Sequence, residues 1–124
     1  MPKKILIVDD TTSVRMLLRM ILKSTDYELA EAEDGVGAFK QCNSPSPPDL
    51  VLMDIIMPNM DGIECCRLIK ANKKTKHIPV IMVTTKGEPQ QMESAYAAGC
   101  DDYLTKPINR IELLAKIKAQ IAND

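Results

Sequence analysis

VLMDIIMPNMDG, residues 51–62, reads as a buried strand that ends on an acid. Leu50–Met53 is apolar at every position, the pattern of a strand covered on both faces of a parallel sheet. Asp54 follows at once, then two isoleucines, Met57-Pro58 and the turn-forming Asn59-Met60-Asp61-Gly62. A carboxylate at the end of a buried strand costs free energy unless something holds it. Asp54 therefore marks a place where the chain serves chemistry rather than packing.

The same punctuation recurs along the chain. Ile5–Val8 (ILIV) is a β-branched run ended by Asp9-Asp10. Val14, Leu17, Leu18, Ile21 and Leu22 then repeat at helical spacing, behind a cap supplied by Asp10, Thr11 or Thr12. Tyr27–Ala32 is a weaker second strand, and Asp34-Gly35 opens a second helix through Cys42. The connection NSPSPP, residues 43–48, cannot be helical. Asp61-Gly62 caps and starts a third helix to about Asn72, with Lys70, Lys73, Lys74 and Lys76 as a solvated basic end that suits the helix dipole.

Pro79–Val83 forms a fourth strand that stops at Thr84-Thr85. Pro89 fits the first turn of a fourth helix, ended by Gly99, with Met92, Ala95 and Tyr96 facing inward. Asp102–Thr105 is a short fifth strand that runs into Lys106-Pro107. A last helix over 109–122 is marked by Ile111, Leu114 and Ile121. Strand and helix alternate five times, which demands a parallel sheet with helices on both faces. One domain, 1–124, accounts for every element, with no output domain expected.

Composition bounds the function. With 124 residues, 45% hydrophobic and 27% charged, the chain suits an ordinary folded domain. A net charge of −1 supplies no basic field for nucleic acid. No apolar span of about 18 residues and no leader peptide is visible, so a cytoplasmic protein without membrane contact is expected. Cys42, Cys65, Cys66 and Cys100 contain no C-x-x-C pair, and His77 is the one histidine, which argues against zinc or redox chemistry. Cys66 falls in step with Ile63 and Ile69 as a core residue, and His77 reads as a surface residue. Asp34-Gly35-Val36-Gly37 lacks the third glycine of a dinucleotide fingerprint, and no phosphate-binding G-x-x-x-x-G-K-[ST] occurs.

In an open parallel sheet, ligands bind beyond the carboxyl ends of the strands. Those ends carry Asp9-Asp10, Asp54, Thr84 and Lys106. Three carboxylates within about 4–5 Å repel by a few kcal/mol per pair at an effective dielectric of ~20. A cation relieves that repulsion, and a few carboxylates with room for water suit Mg²⁺ better than Ca²⁺. A lysine and a hydroxyl beside such an ion are the parts that stabilise a phosphoryl group, and an aspartate can itself be the nucleophile.

IVDD, LMDIIMPNMDG, VTT and YLTKP, in this order, resemble the receiver domain of two-component response regulators over residues 3–121. The resemblance implies the flavodoxin-like strand order 2-1-3-4-5, with Asp54 as phosphoacceptor. It also implies Mg²⁺ held directly by Asp10, directly or through water by Asp9, and by Asp54 and the Ile56 backbone carbonyl. Thr84 would donate its hydroxyl to the phosphoryl group and Lys106 would pair with it. Tyr103 would be the aromatic whose rotamer reports phosphorylation, and the Lys106–Pro107 bond would be cis. A sensor histidine kinase or phosphotransfer protein would supply the phosphoryl group to a monomer, with dimerisation on phosphorylation left open. The signal would leave by the face of the fourth helix, fifth strand and fifth helix, toward a flagellar switch component, a kinase or another relay protein.

Thr85 departs from the small residue common after the switch hydroxyl and narrows access to the site. Ile56 and Lys86, two residues beyond Asp54 and Thr84, would flank the path of an attacking water, and neither orients one. A phosphorylated state of minutes or longer is expected, with self-phosphorylation from small donors and slow autodephosphorylation but no turnover of other substrates. An aspartate-nucleophile phosphohydrolase would need an acid two residues after its nucleophile, where this chain has Ile56 or Thr11. A phosphate-independent scaffold is the remaining alternative.

Overall fold

The computed structural model describes residues 2–85 and 89–121. The elements run β1 (Lys4–Val8), α1 (Thr12–Leu22), β2 (Glu28–Ala32), α2 (Gly35–Cys42), β3 (Leu50–Met53), α3 (Gly62–Ala71), β4 (Val80–Thr84), α4 (Pro89–Ala97), β5 (Asp102–Thr105) and α5 (Arg110–Ile121). All neighbouring strands pair in parallel, in the order β2-β1-β3-β4-β5.

Two apolar cores lie on the two faces of the sheet, and this explains the uninterrupted apolar strands. Leu6, Val8, Val51, Met53, Val80 and Met82 face one core, with Cys65, Cys66 and Ile69 of α3 and Ala95 of α4. Ile5, Ile7, Leu50, Leu52, Ile81 and Val83 face the other, with Leu18 and Leu22 of α1 and Leu113 and Ile117 of α5. Successive residues point to opposite faces, so a strand covered on both sides is apolar throughout. Each large side chain so buried contributes about 1.5–3 kcal/mol relative to exposure. Edge strand β2 is only half buried, which is why its sequence signal is weak.

The helices keep the expected spans but not every expected face. In α1 the buried residues are Arg15, Leu18 and Leu22, while Leu17 is 46% exposed beside exposed Met16 and Met20. Thr11 is the N-cap residue of α1 and makes no side-chain capping bond. In α5 Leu113, Ile117 and Ile121 are buried and Leu114 packs partly buried against the same core, but Ile111 is 80% exposed. In α4, Ala95 is buried and Met92 packs at the core edge, but Tyr96 turns outward. Helical spacing permits several adjacent stripes, and the sheet selects one of them. Lys70 is no solvated helix end: its Nζ donates to the Ile78 carbonyl at 2.7 Å and pairs with Asp101 at 2.8 Å.

Candidate functional site

The strand register brings the chemistry together. Val8 lies opposite Met53, and the Asp54 amide donates to the Val8 carbonyl at 3.0 Å, so Asp9 and Asp54 leave adjacent strands side by side. Asp10, one residue further, completes a cluster in which a carboxylate oxygen of each acid lies within 4.8 Å of the others. Thr84 pairs with Thr105 across β4 and β5, and the Lys106 amide donates to the Thr84 carbonyl at 2.7 Å. The Lys106–Pro107 peptide bond is cis. The Lys106 ammonium reaches Asp9 Oδ2 at 3.1 Å and Asp54 Oδ2 at 3.5 Å.

Asp9 and Asp54 are buried and Asp10 is exposed. Asp9 Oδ1 accepts from the Thr11 amide at 2.8 Å, and Asp54 Oδ1 accepts from its neighbour's amide, Ile55, at 2.7 Å. Burial pushes the Asp54 carboxyl above its ordinary value; Lys106 opposes that rise and Asp9 adds to it. Two ionised groups at the 4.8 Å bound of the cluster repel by about 3.5 kcal/mol at an effective dielectric of ~20. Among the described residues, one ammonium meets this cluster of three carboxylates, so negative charge is in excess there. The donor set is all oxygen, and the exposed acid leaves one side open to water. Asp9, Asp10 and Asp54 therefore fit a hard divalent cation that keeps part of its water shell.

Ile55 turns into the core at 3% exposure, whereas Ile56, two residues beyond Asp54, turns out to solvent at 72%. Thr84 is buried and Thr85 exposed at the end of β4. Tyr103 is buried, its ring centroid 6.4 Å from that of exposed Tyr96. Lys86 lies outside the described residues.

Sequence reasoning passed over several residues that hold this edge. Gly62 reads in the sequence as turn and helix start alone, yet a Cβ there would lie 2.1 Å from the Asp54 carbonyl oxygen. The α3 start must pass that close because the Gly62 amide donates to the Ile55 carbonyl at 2.8 Å. Asn59 adopts φ 67°, in the left-handed region where asparagine is among the tolerated residues, and its Nδ2 donates to Asp34 Oδ2 at 2.7 Å. Asp34 also caps α2 through the Gly37 amide, so the loop after Asp54 is tied to the start of α2. The turn-like Asn-Met-Asp-Gly was a visible signal for this loop, but its partners lie some 25 residues away in sequence. The four thiols are buried; desolvation raises Cys42 and Cys100 to about 11, and Cys65 and Cys66 to about 12. Protonated and shielded, they act as core residues.

Fold and site together define a class: a doubly wound parallel domain with an oxygen-rich cation pocket and a lysine at its carboxyl edge. The family model described as the response regulator receiver domain matches residues 5–118. The transcriptional regulatory protein ResD of Bacillus subtilis is 43% identical over 116 residues, which cover 94% of this chain and 47% of that protein. Thus the chain spans about half the length of that curated relative. Among solved structures, a putative response regulator from Chloroflexus aurantiacus superposes with TM-score 0.92 at 32% identity, covering 99% of this chain and 100% of that one. The receiver domain of the sensor histidine kinase PA1611 from Pseudomonas aeruginosa PAO1, solved with a magnesium ion coordinated in its active-site cleft, gives 0.89 at 28% identity over 99% and 100%. This chain belongs to the response regulator receiver domain family. Receiver domains are signalling modules rather than turnover enzymes, and they work with histidine kinases or phosphotransfer proteins. Among the described residues, no helix is long and apolar enough to cross a membrane.

Proposed function

We propose that Asp54 accepts a phosphoryl group from the phosphohistidine of a kinase or phosphotransfer protein. The observation that carries this reading is the convergence of Asp9, Asp10, Asp54 and Lys106 from three separate strand ends on one point. A carboxylate oxygen of Asp54 attacks phosphorus as the P–N bond to the donor imidazole breaks, and the imidazole leaves with its electron pair and takes up a proton. The Ile55 amide holds Asp54 Oδ1, which leaves Oδ2 facing the ammonium and the acids. Asp9, Asp10, Asp54 and the Ile56 carbonyl would hold Mg²⁺, which would supply positive charge against the negative charge of the phosphoryl oxygens. Lys106 exchanges its carboxylate partners for the new anion, and Thr84 donates its hydroxyl to it.

The phosphoryl group then draws on Thr84, and the buried ring of Tyr103 follows into the space vacated. The change reads out on the face of α4, β5 and α5, where exposed Tyr96 lies against Tyr103 and Lys116 holds the Tyr103 carbonyl at 2.8 Å. We take the chain to work in the cytoplasm as a monomeric single domain that signals by protein contact. The 47% coverage of ResD favours a second reading, in which this receiver forms one half of a transcriptional regulator. The size of the native protein in cell extract separates the two.

Phosphoramidate or acetyl phosphate with Mg²⁺ tests the chemistry. Intact mass is expected to show one added phosphoryl group, labile to hydroxylamine as an acyl phosphate is. A hydroxylamine-stable adduct, or labelling of His77, would sink the proposal.

A further inference from the structure

Arg15 is the charged side chain that α1 sends inward, 8% exposed among Leu18 and Leu22. Its Nη1 donates to the Asp9 backbone carbonyl at 2.6 Å, its Nε to Glu31 Oε1 at 2.8 Å, and its Nη2 to Thr12 Oγ1 at 3.3 Å. Glu33 stands 3.9 Å from the same Nη2. The second oxygen of Glu31 accepts from the Arg19 guanidinium. Glu31, on β2, is thus clamped between two arginines, and one of them reaches the backbone of the acid cluster.

The bond to Asp9 falls at a sensitive point. The Asp9 amide donates to the Ala32 carbonyl at 3.2 Å, and its two carboxylate oxygens take the Thr11 amide and the Lys106 ammonium. The carbonyl taken by Arg15 belongs to the peptide joining Asp9 to Asp10. Asp10 is exposed, so the orientation of that peptide, rather than packing, sets where its carboxylate points. Glu31 and Glu33 meet the charge of Arg15, and whatever positive field remains would weaken, not favour, a cation nearby. The bond from Nη1 to the Asp9 carbonyl is the contact that links this guanidinium to the acid cluster.

We propose that Arg15, oriented by Glu31, is a positioning residue for the cation site: it fixes the Asp9–Asp10 peptide so that both carboxylates face Asp54. This rests on the reading of the acid cluster as a Mg²⁺ site. Groups that orient metal ligands typically change affinity about 10–100-fold when lost.

The two effects of Arg15 have opposite signs, and that makes the test decisive. Mg²⁺ is titrated calorimetrically into the metal-free full chain for wild type, Arg15→Lys, Arg15→Gln and the control Leu22→Ala, with thermal melting of each. Positioning predicts that Arg15→Lys and Arg15→Gln both bind Mg²⁺ about tenfold more weakly, the low end of the outer-partner range. Leu22→Ala removes buried core packing in the same helix and is expected to lower stability while leaving Mg²⁺ affinity unchanged. Unchanged or tighter binding in both Arg15 variants overturns the inference, because charge then outweighs geometry. Equal weakening in Leu22→Ala also overturns it, since Arg15 would then act only through helix stability. No Mg²⁺ binding by the wild type would instead defeat the metal-site reading itself, and the inference with it.

Discussion

Two groups of acids and lysines sit at opposite edges of one sheet, and they are built on different terms. At the amino edge, Lys70 pairs with Asp101 at 2.8 Å, and the same carboxylate oxygen accepts from the Val80 amide at 2.8 Å. Lys70 also donates to the Ile78 carbonyl, and its stem lies 2.9 Å from where a Cβ on Gly99 would sit. One cation meets one anion there, and each finds backbone partners. At the carboxyl edge, one ammonium is shared between Asp9 and Asp54, and Asp10 adds a third carboxylate. The first cluster is balanced and serves the fold. The second carries excess negative charge, which a cation can neutralise.

The largest contrast is chemical. Asp54→Asn is expected to abolish phosphorylation by small donors completely, whereas Asp101→Asn leaves it intact; intact-mass measurement compares the two. Phosphorylation surviving in Asp54→Asn would erase the distinction between the edges.

Stability should respond in opposite directions. Asp101→Ala leaves Lys70 without its carboxylate and the Val80 amide without its acceptor, a loss of about 2 kcal/mol by urea unfolding. Asp54 works the other way in metal-free protein. Its carboxyl is raised above the ordinary 3.8, first by burial, so the folded chain holds that proton more tightly than the unfolded chain. The contribution of Asp54 to stability therefore falls as pH rises from the ordinary carboxylate range through the raised value. Asp54→Asn is expected to remove that slope and to melt above wild type at neutral pH without Mg²⁺. A lower melting temperature would mean that Lys106 already balances the site.

Mg²⁺ should reverse this order. At ten times its dissociation constant it adds about 1.4 kcal/mol to the wild type, as any ligand of the native state does. The gain should vanish in Asp10→Asn and persist in Asp61→Asn, because Asp61 only caps α3 through the Glu64 amide. Equal gains in both would place the ion elsewhere.

The smallest effect concerns lifetime. Ile56, two residues beyond Asp54, is exposed and its side chain has no polar atom to orient a water. Ile56→Asn with Lys86→Glu is expected to speed loss of the phosphoryl group by a few-fold, through positioning of the attacking water. Decay followed without kinase or phosphatase measures it. Loss within seconds in wild type, or no change in the double variant, would remove these positions from consideration.

Much of this was legible in the residue order. Three apolar runs ending in Asp9-Asp10, Asp54 and Thr84, with a short fifth strand running into Lys106, pointed to a parallel sheet with its polar groups at one edge, because burial on both faces demands apolar strands and polar groups then collect where the strands stop. The turn and cap at Asp61-Gly62 were legible too, since capping is local. The phase of the helices was not. Ile111 fits a helical stripe with Leu114 and Ile121 as well as Leu113 and Ile117 do, yet Ile111 is left in solvent while the others meet the core, and only the docked sheet distinguishes them. Nor did spacing reveal that Lys70 turns in toward Asp101, that Arg15 reaches the Asp9 carbonyl, or that Gly62 must be bare beside the Asp54 carbonyl. Periodicity and capping depend on neighbours a few residues apart and are written into the chain locally. Ion-pair partners and close backbone approach depend on which elements the sheet order sets side by side, and these exist only once the chain has folded.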